Sequence, residues 1–293
     1  MKTTIYKNYT QDELDAEYNN RAKVSNFSSY MEEASTLCRK AKDAYPNMET
    51  ICFDDQSGLE MDVIYPTNMG NDPVPVQIFF HGGYWKALSK NEYTFVARAF
   101  ADQGIATAIV DYGLIPAINM TELMQQCRQS IAYVFANANR LKIRQSHIHI
   151  SGHSAGGHIA AMCFATNWTE FNKDLPNQII RSAVGISGLY DLLPISKCFL
   201  QADLDLSARD VKEHSPVRHQ DPKHGQFHSI VGSLEGDEYE AQSAALHTAW
   251  PKSSTKPAIL SSHDHFSIVN ALADPTSDTS TFIRNAMSQK PTT

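Results

Sequence analysis

The sequence is poor in charge, in long apolar runs and in organised cysteine. Charged residues make up 19% of its 293 positions, and the formal net charge is −7. That mild acidic balance argues against nucleic acid or an anionic membrane as a partner. No apolar run approaches the roughly 18 residues that a membrane helix needs. The first residues, MKTTIYKNYTQDELDAEY, turn polar and acidic at once, unlike a secretory signal. The five cysteines (Cys38, Cys52, Cys127, Cys163 and Cys198) are odd in number, widely spaced and without a C-x-x-C pair. This excludes a disulfide framework or a zinc knuckle as the organising device. Reduced, mostly packed thiols in a cytoplasmic protein are expected. There is no internal repeat, no low-complexity tract and no linker-like stretch. A single domain over residues 1–293 is expected, and 42% hydrophobic residues suffice for its core.

What is present is an alternation of strand and helix signals. Residues 1–48 have helical, polar composition and read as an extension in front of a sheet. ETICFDD and LEMDVIYP then read as a hairpin around Gln56-Ser57-Gly58. PVQIFF, ending at Phe80, is a continuous apolar run, as expected of a strand buried on both faces. Ser89-Lys90-Asn91-Glu92 fits a capping box and predicts a helix to about Asp102. Gly104 to Val110 predicts the next strand, and a helix capped by Thr121 should run to about Arg140. Strands are predicted again at His147 to Ile150, Ile179 to Ile186, Phe227 to Val231 and Pro257 to Leu260. The pattern predicts an α/β fold with a mostly parallel sheet, helices on both faces and an antiparallel N-terminal edge. Residues 194–226 are polar, broken by Pro216 and Pro222, and too long for a plain connection. They read as a cap segment containing a helix.

Three clusters carry chemistry. Gly152-His153-Ser154-Ala155-Gly156 lies between an apolar strand and the helix-forming GGHIAAMCFA. This is the strand–turn–helix setting that raises a nucleophilic serine onto a helix N-terminus. His81-Gly82-Gly83-Tyr84-Trp85 follows PVQIFF. Its glycines allow backbone N–H groups to approach a ligand, so Gly82 or Gly83, with Ala155, are the expected oxyanion donors. His81 reads as a brace for this loop, and His153 and His158 as packing around the elbow. In sheets with such an elbow, an acid and then a histidine follow the serine along the chain. After the penultimate strand, Glu235 is favoured as the acid, with Asp237 as reserve and Asp191 as rival. Two histidines, His263 and His265, follow the last strand. With Asp264 between them they make a poor metal site, because adjacent side chains seldom converge on one ion. No metal and no cofactor is expected.

HGGYW, GHSAGGH and the late Asp264-His265-Phe266 together resemble the kynurenine formamidase (arylformamidase) branch of the α/β-hydrolases. Ser187 to Leu192 (SGLYDL), His214-Ser215-Pro216, Val231-Gly232, Glu238-Tyr239 and Gln242-Ser243 extend the resemblance over most of the chain. It implies His265 as the base. The branch usually has Asp at the position of Glu235, and the longer glutamate still reaches the imidazole. It further implies metal-independent hydrolysis of N-formyl-L-kynurenine to formate and L-kynurenine through a formyl-serine. The bulky Tyr84 and Trp85, with Tyr112, Tyr190 and Phe266 from nearby strand ends, are expected to wall a pocket for a planar aromatic substrate. The alternative is a small-molecule carboxylesterase, or a carbamate or amide hydrolase, with a short acyl pocket. A remote alternative is a non-catalytic ligand-binding protein on the same fold. A homodimer is left open.

Overall fold

The computed structural model describes residues 3–222 and 224–289. Their strands are β1 (Met48–Asp54), β2 (Leu59–Ile64), β3 (Val74–Phe80), β4 (Ala106–Val110), β5 (Ile143–His153), β6 (Ser182–Ile186), β7 (Phe227–Gly232) and β8 (Ala258–Leu260). They form one eight-stranded sheet in the order β1-β2-β4-β3-β5-β6-β7-β8. The β1/β2 and β2/β4 pairs are antiparallel and the remaining pairs parallel. The hairpin turns at Gly58, whose φ of +69° suits a residue without Cβ.

Period-two alternation distributes the sheet's side chains between two apolar layers. Val76, Ile78 and Phe80 of β3 face one layer, with Ala106, Ala108 and Val110 of β4. Phe79 and Ile109, one residue out of phase, face the other. The first layer is closed by α4 (Met120–Ala136) and α5 (Ala155–Phe164). The second is closed by α3 (Phe27–Ala44), the segment after Ser89 and α11 (Asp278–Ser288). Ahead of α3 lie α1 (Gln11–Tyr18) and α2 (Asn20–Lys23). The segment 194–226 carries α7 (Gln201–Leu204) and α8 (Ala208–Glu213), while α6 (Trp168–Phe171) precedes β6. Two further helices, α9 (Asp237–Ala249) and α10 (Ser267–Asn270), follow β7 and β8. Among the described residues no helix is long and apolar enough to cross a membrane. The five cysteines are free thiols, four of them buried.

Several boundaries differ from the sequence expectation; β6, for one, starts at Ser182 rather than Ile179. The segment from Ser89 does open with a capping box, but it continues as successive 3₁₀ turns at Lys90–Glu92, Thr94–Ala99 and Ala101–Gln103. Thr94, Phe95, Val96, Ala97 and Ala99 are all buried. A segment enclosed on nearly every side follows its packing rather than its helical propensity. The cap of α4 is Asn119, two residues before Thr121, and the helix ends at Ala136. β5 starts four residues earlier than the apolar run suggested, at Ile143.

The turn from β5 into α5 holds Ser154 at φ 57° and ψ −116°, a strained conformation for a residue with a side chain. Close approach enforces its glycines. A Cβ on Gly156 would lie 1.9 Å from the Phe80 carbonyl oxygen, and one on Gly152 would lie 2.1 Å from that of Gly156. The Gly156 backbone cannot yield without parting β3 from the elbow, nor that of Gly152 without parting β5 from α5. Gly156→Ala should therefore lower unfolding free energy by about 3 kcal/mol, at the upper end of overpacking effects. Urea denaturation checks this, and a midpoint equal to the parent's would refute the close approach.

Burial also sets an acid limit. His81, His149, His153, His158 and His228 are inside the protein. Desolvation by burial lowers the pKa to about 4 for His81 and His228. It lowers His149 and His158 to about 3, and His153 falls well below 6.5. Unfolded histidines titrate near 6.5. Below that pH the unfolded chain binds protons that the native state refuses, so stability present above 6.5 is lost on acidification. Each such histidine adds up to about 1.4 kcal/mol per pH unit to that slope. The urea midpoint should fall clearly between pH 7.5 and pH 5. A flat profile would mean that these rings are not buried neutral.

Candidate active site

Ser154 sits at the head of α5, where the first N–H groups have no intrahelical acceptor. Its own N–H donates to the Ile186 carbonyl at 2.8 Å, fixing the elbow to β6. The HGGYW loop leaves β3 beside it. A Cβ on Gly82 would lie 3.4 Å from Ser154 Cβ, so this glycine is where the loop touches the serine. Gly83 has φ +111°, and a Cβ there would lie 2.1 Å from the Ala87 carbonyl oxygen. Tyr84 and Trp85 are both in the left-handed region, at φ 50° and 57°. Their side chains hold that strain in place. Trp85 is fully buried and its indole N–H donates to His158 Nδ1 at 3.2 Å. The Tyr84 hydroxyl donates to the Tyr18 carbonyl at 2.6 Å.

His265 lies in the loop after β8, and its Nδ1 is 2.6 Å from Glu235 Oε2. The other carboxylate oxygen, Oε1, accepts from the Gly232 N–H at 2.6 Å and from the Ser187 hydroxyl at 2.5 Å. Glu235 is thus buried yet fully bonded, as a buried carboxylate must be. The ring of His265 packs against His153 and Tyr239, with centroids 4.5 and 4.8 Å away. The rival residues lie elsewhere. Asp237 is an exposed residue at the start of α9. Asp191 accepts the Leu193 N–H and pairs with Arg218. His263 Nε2 faces Asp278 at 3.1 Å.

Ser154, Gly83, Tyr84, His153, His265 and Phe266 open on one cavity of about 410 Å³. Of the five aromatic residues expected on its wall, Tyr84 and Phe266 are there. The other three are inside the protein. Trp85 lies under the loop against His158. Tyr112 stacks on His81 with centroids 4.1 Å apart and donates to the His81 carbonyl. Tyr190 is wedged against Gly185 and Gly188 and meets Phe227 edge-on. Each of them shapes the backbone below the site, because a large ring beside a glycine-rich turn fills the volume that the glycines leave.

The opposite wall comes from the N-terminal extension. Phe27, Tyr30, Met31 and Ala34 line the cavity from α3, and Tyr18 and Asn20 from α1 and α2. The spacing of the α3 residues is that of one helix face, a signal present in the sequence but outweighed by its polar average. The amide nitrogen of Asn20 donates to Tyr84 at 3.0 Å and to Tyr239 at 2.6 Å. Lys23 Nζ donates to the Glu235 carbonyl, and Tyr30 to Asp264 at 2.5 Å. The extension therefore grips both loops that carry the acid and the histidine. Among the described residues no group of three or more His, Cys, Asp or Glu could hold a metal ion.

Ser187 was not singled out by sequence as a site residue, although the SGLYDL segment was. A charged hydrogen bond of this kind contributes about 1.5–3 kcal/mol. Ser187→Ala should lower kcat/KM about tenfold with little change in KM, and Glu235→Gln should do far more damage. Equal activity of Ser187→Ala and parent would show that Gly232 alone orients the carboxylate.

The BD-FAE family profile matches residues 61–224, more than half of the chain. Kynurenine formamidase of Danio rerio is 29% identical over 92% of this chain and 94% of its own length. That of Salmo salar is 27% identical with the same coverage. A solved structure from Silicibacter sp. tm1040, described as a candidate thioesterase, superposes with a TM-score of 0.80 at 27% identity. It covers 93% of this chain and 99% of that one.

Proposed function

We propose a substrate and a mechanism from one premise: the chain belongs to the BD-FAE family and is a hydrolase with the α/β-hydrolase fold. The substrate is an aryl formamide, best represented by N-formyl-L-kynurenine, cleaved to formate and L-kynurenine. The observation that carries this reading is the meeting of Ser154 with a Glu235-bonded His265 in one aromatic-lined cavity. The named relatives, similar over nine-tenths of both chains, support formamide as the scissile group.

In this mechanism His265 Nε2 removes the Ser154 proton as Oγ attacks the formyl carbon. Glu235 holds Nδ1–H, which leaves Nε2 as the basic nitrogen and stabilises the imidazolium that forms. The carbonyl oxygen becomes an oxyanion facing the N–H groups of Ala155 and of Gly83 or Gly82. The imidazolium then protonates the aryl nitrogen, the C–N bond breaks and the arylamine leaves. Water, deprotonated by His265, attacks the formyl-serine by the same route and releases formate. Side chains and backbone of this chain carry every step.

Cleavage of short aryl esters uses the same parts and is the second reading, favoured by the fold relationship to a candidate thioesterase. The proposal includes a cytoplasmic location, with which five free thiols are in keeping. The test is a comparison of kcat/KM for N-formyl-L-kynurenine, phenyl acetate and an eight-carbon aryl ester, with Ser154→Ala as control. The formamide and the acetate should exceed the long ester by at least about tenfold. Ser154→Ala should abolish turnover of all three. Preference for the eight-carbon ester would overturn the formamidase assignment, and activity retained in Ser154→Ala would overturn the nucleophile.

A further inference from the structure

Charge around the catalytic cavity is unevenly answered. Lys86 pairs with Asp203. Glu92 accepts the Ser89 N–H and hydroxyl, each at 2.8 Å. Arg21 lines the same cavity and is exposed at its mouth. Among the described residues its guanidinium has no carboxylate beside it. What it touches is the face of Phe27, with Cζ 4.8 Å from the ring centroid. In a chain of net charge −7, an unanswered cation at the entrance to the site is a local exception.

Its position has a direction. A leaving group departs towards the proton donor, which is His265. The ring of Phe266 meets that of His265 at 5.6 Å, Phe27 meets Phe266 at 4.9 Å, and Arg21 lies on Phe27. These groups form a continuous wall that runs from the histidine to the guanidinium on the leaving-group side. A guanidinium over an aromatic ring is held there without using up its N–H donors, which can serve a planar, bidentate acceptor. Its backbone is held by Asn20, the preceding residue, which is buried and bonded to Tyr84 and Tyr239.

We propose that Arg21 is the receptor for a carboxylate on the aryl leaving group, so that the site selects aryl substrates that carry a carboxylate over those that lack one. The inference rests on the reading of this cavity as a site of acyl transfer from an aryl leaving group. It adds the charge that such a group carries.

Matched substrate pairs test it. N-formyl-L-kynurenine is compared with formanilide, and 4-acetoxyphenylacetate with phenyl acetate, in the parent, Arg21→Ala, Arg21→Lys and Arg21→Glu. The ratio of kcat/KM, carboxylate-bearing over carboxylate-free, should fall about tenfold in Arg21→Ala, mostly through KM. Arg21→Lys should recover part of it, and Arg21→Glu should lower it further. The parent's ratio should also decline with added salt. A ratio that stays within twofold across all variants overturns the proposal. If the parent cleaves esters and not formamides, the formamidase reading fails, while the ester pair still decides the role of Arg21. If neither pair turns over, protection of Ser154 from a fluorophosphonate probe decides. Protection by 4-hydroxyphenylacetate that exceeds that by phenol, and is lost in Arg21→Ala, supports the proposal. Equal protection in both proteins overturns it.

Discussion

The site depends on one close approach, the packing of the Gly156 backbone against the carbonyl of Phe80 at the end of β3. That contact leaves no room for a Cβ, and it brings two chain segments into register. β3 ends where the glycine loop begins, and β5 ends where Ser154 is raised onto α5. The parallel pairing of Phe80 with Gly152 sets the same alignment within the sheet. The serine and the loop expected to face its oxyanion are therefore positioned by backbone geometry, before any side chain is chosen. The strain at Ser154, Tyr84 and Trp85 is tolerated because the surrounding core over-determines it.

On the other side of the cavity, placement is achieved by hydrogen bonds. Glu235 enters from a loop, where a free carboxylate would have several rotamers. Gly232 and Ser187 hold one oxygen and so turn the other towards His265. A glutamate can reach the imidazole from this position because its carboxylate is anchored at the far oxygen. The N-terminal extension adds a second constraint, because Lys23 binds the carbonyl of Glu235 and Tyr30 binds Asp264 beside the histidine. The extension and the two loops that carry Glu235 and His265 form one polar assembly. Loosening α1 to α3 would be felt at His265.

The sequence made the central sheet and the serine elbow legible for a physical reason. Buried strands read as apolar runs, and a nucleophile turn needs small residues at fixed offsets, so both leave a local pattern. Order after β7 and β8 narrows the acid to Glu235 or Asp237 and the base to His263 or His265; the family resemblance singles out His265, and the structure brings its ring to 2.6 Å from Glu235. The pocket wall was not legible in the same way. Tyr84 and Trp85 are adjacent, yet one faces the cavity and the other lies beneath it, and only the left-handed turn between them decides which. Tyr112 and Tyr190 sit near strand ends as expected, but rings at strand ends point into the layer as readily as out of it. The α3 stripe of Phe27, Tyr30, Met31 and Ala34 was visible as a period. Nothing local states that such a stripe covers a cavity rather than a core.

A division between chemistry and recognition follows from this arrangement. The family match runs from residue 61 to residue 224, which includes the glycine loop and Ser154. Glu235, His265 and the whole N-terminal wall lie outside it. Within it, the glycine loop and the serine elbow are held by close backbone contacts that leave no room for a Cβ at Gly83, Gly152 or Gly156. The part outside is held by side-chain hydrogen bonds and aromatic contacts, which can be exchanged singly without unseating the serine. A wall built on a separate helical extension can change its rings and its charge while the elbow beneath stays fixed. Specificity in this chain is for that reason expected to reside in residues 18–34 and around Phe266, and the reaction itself at the ends of β3, β5, β7 and β8.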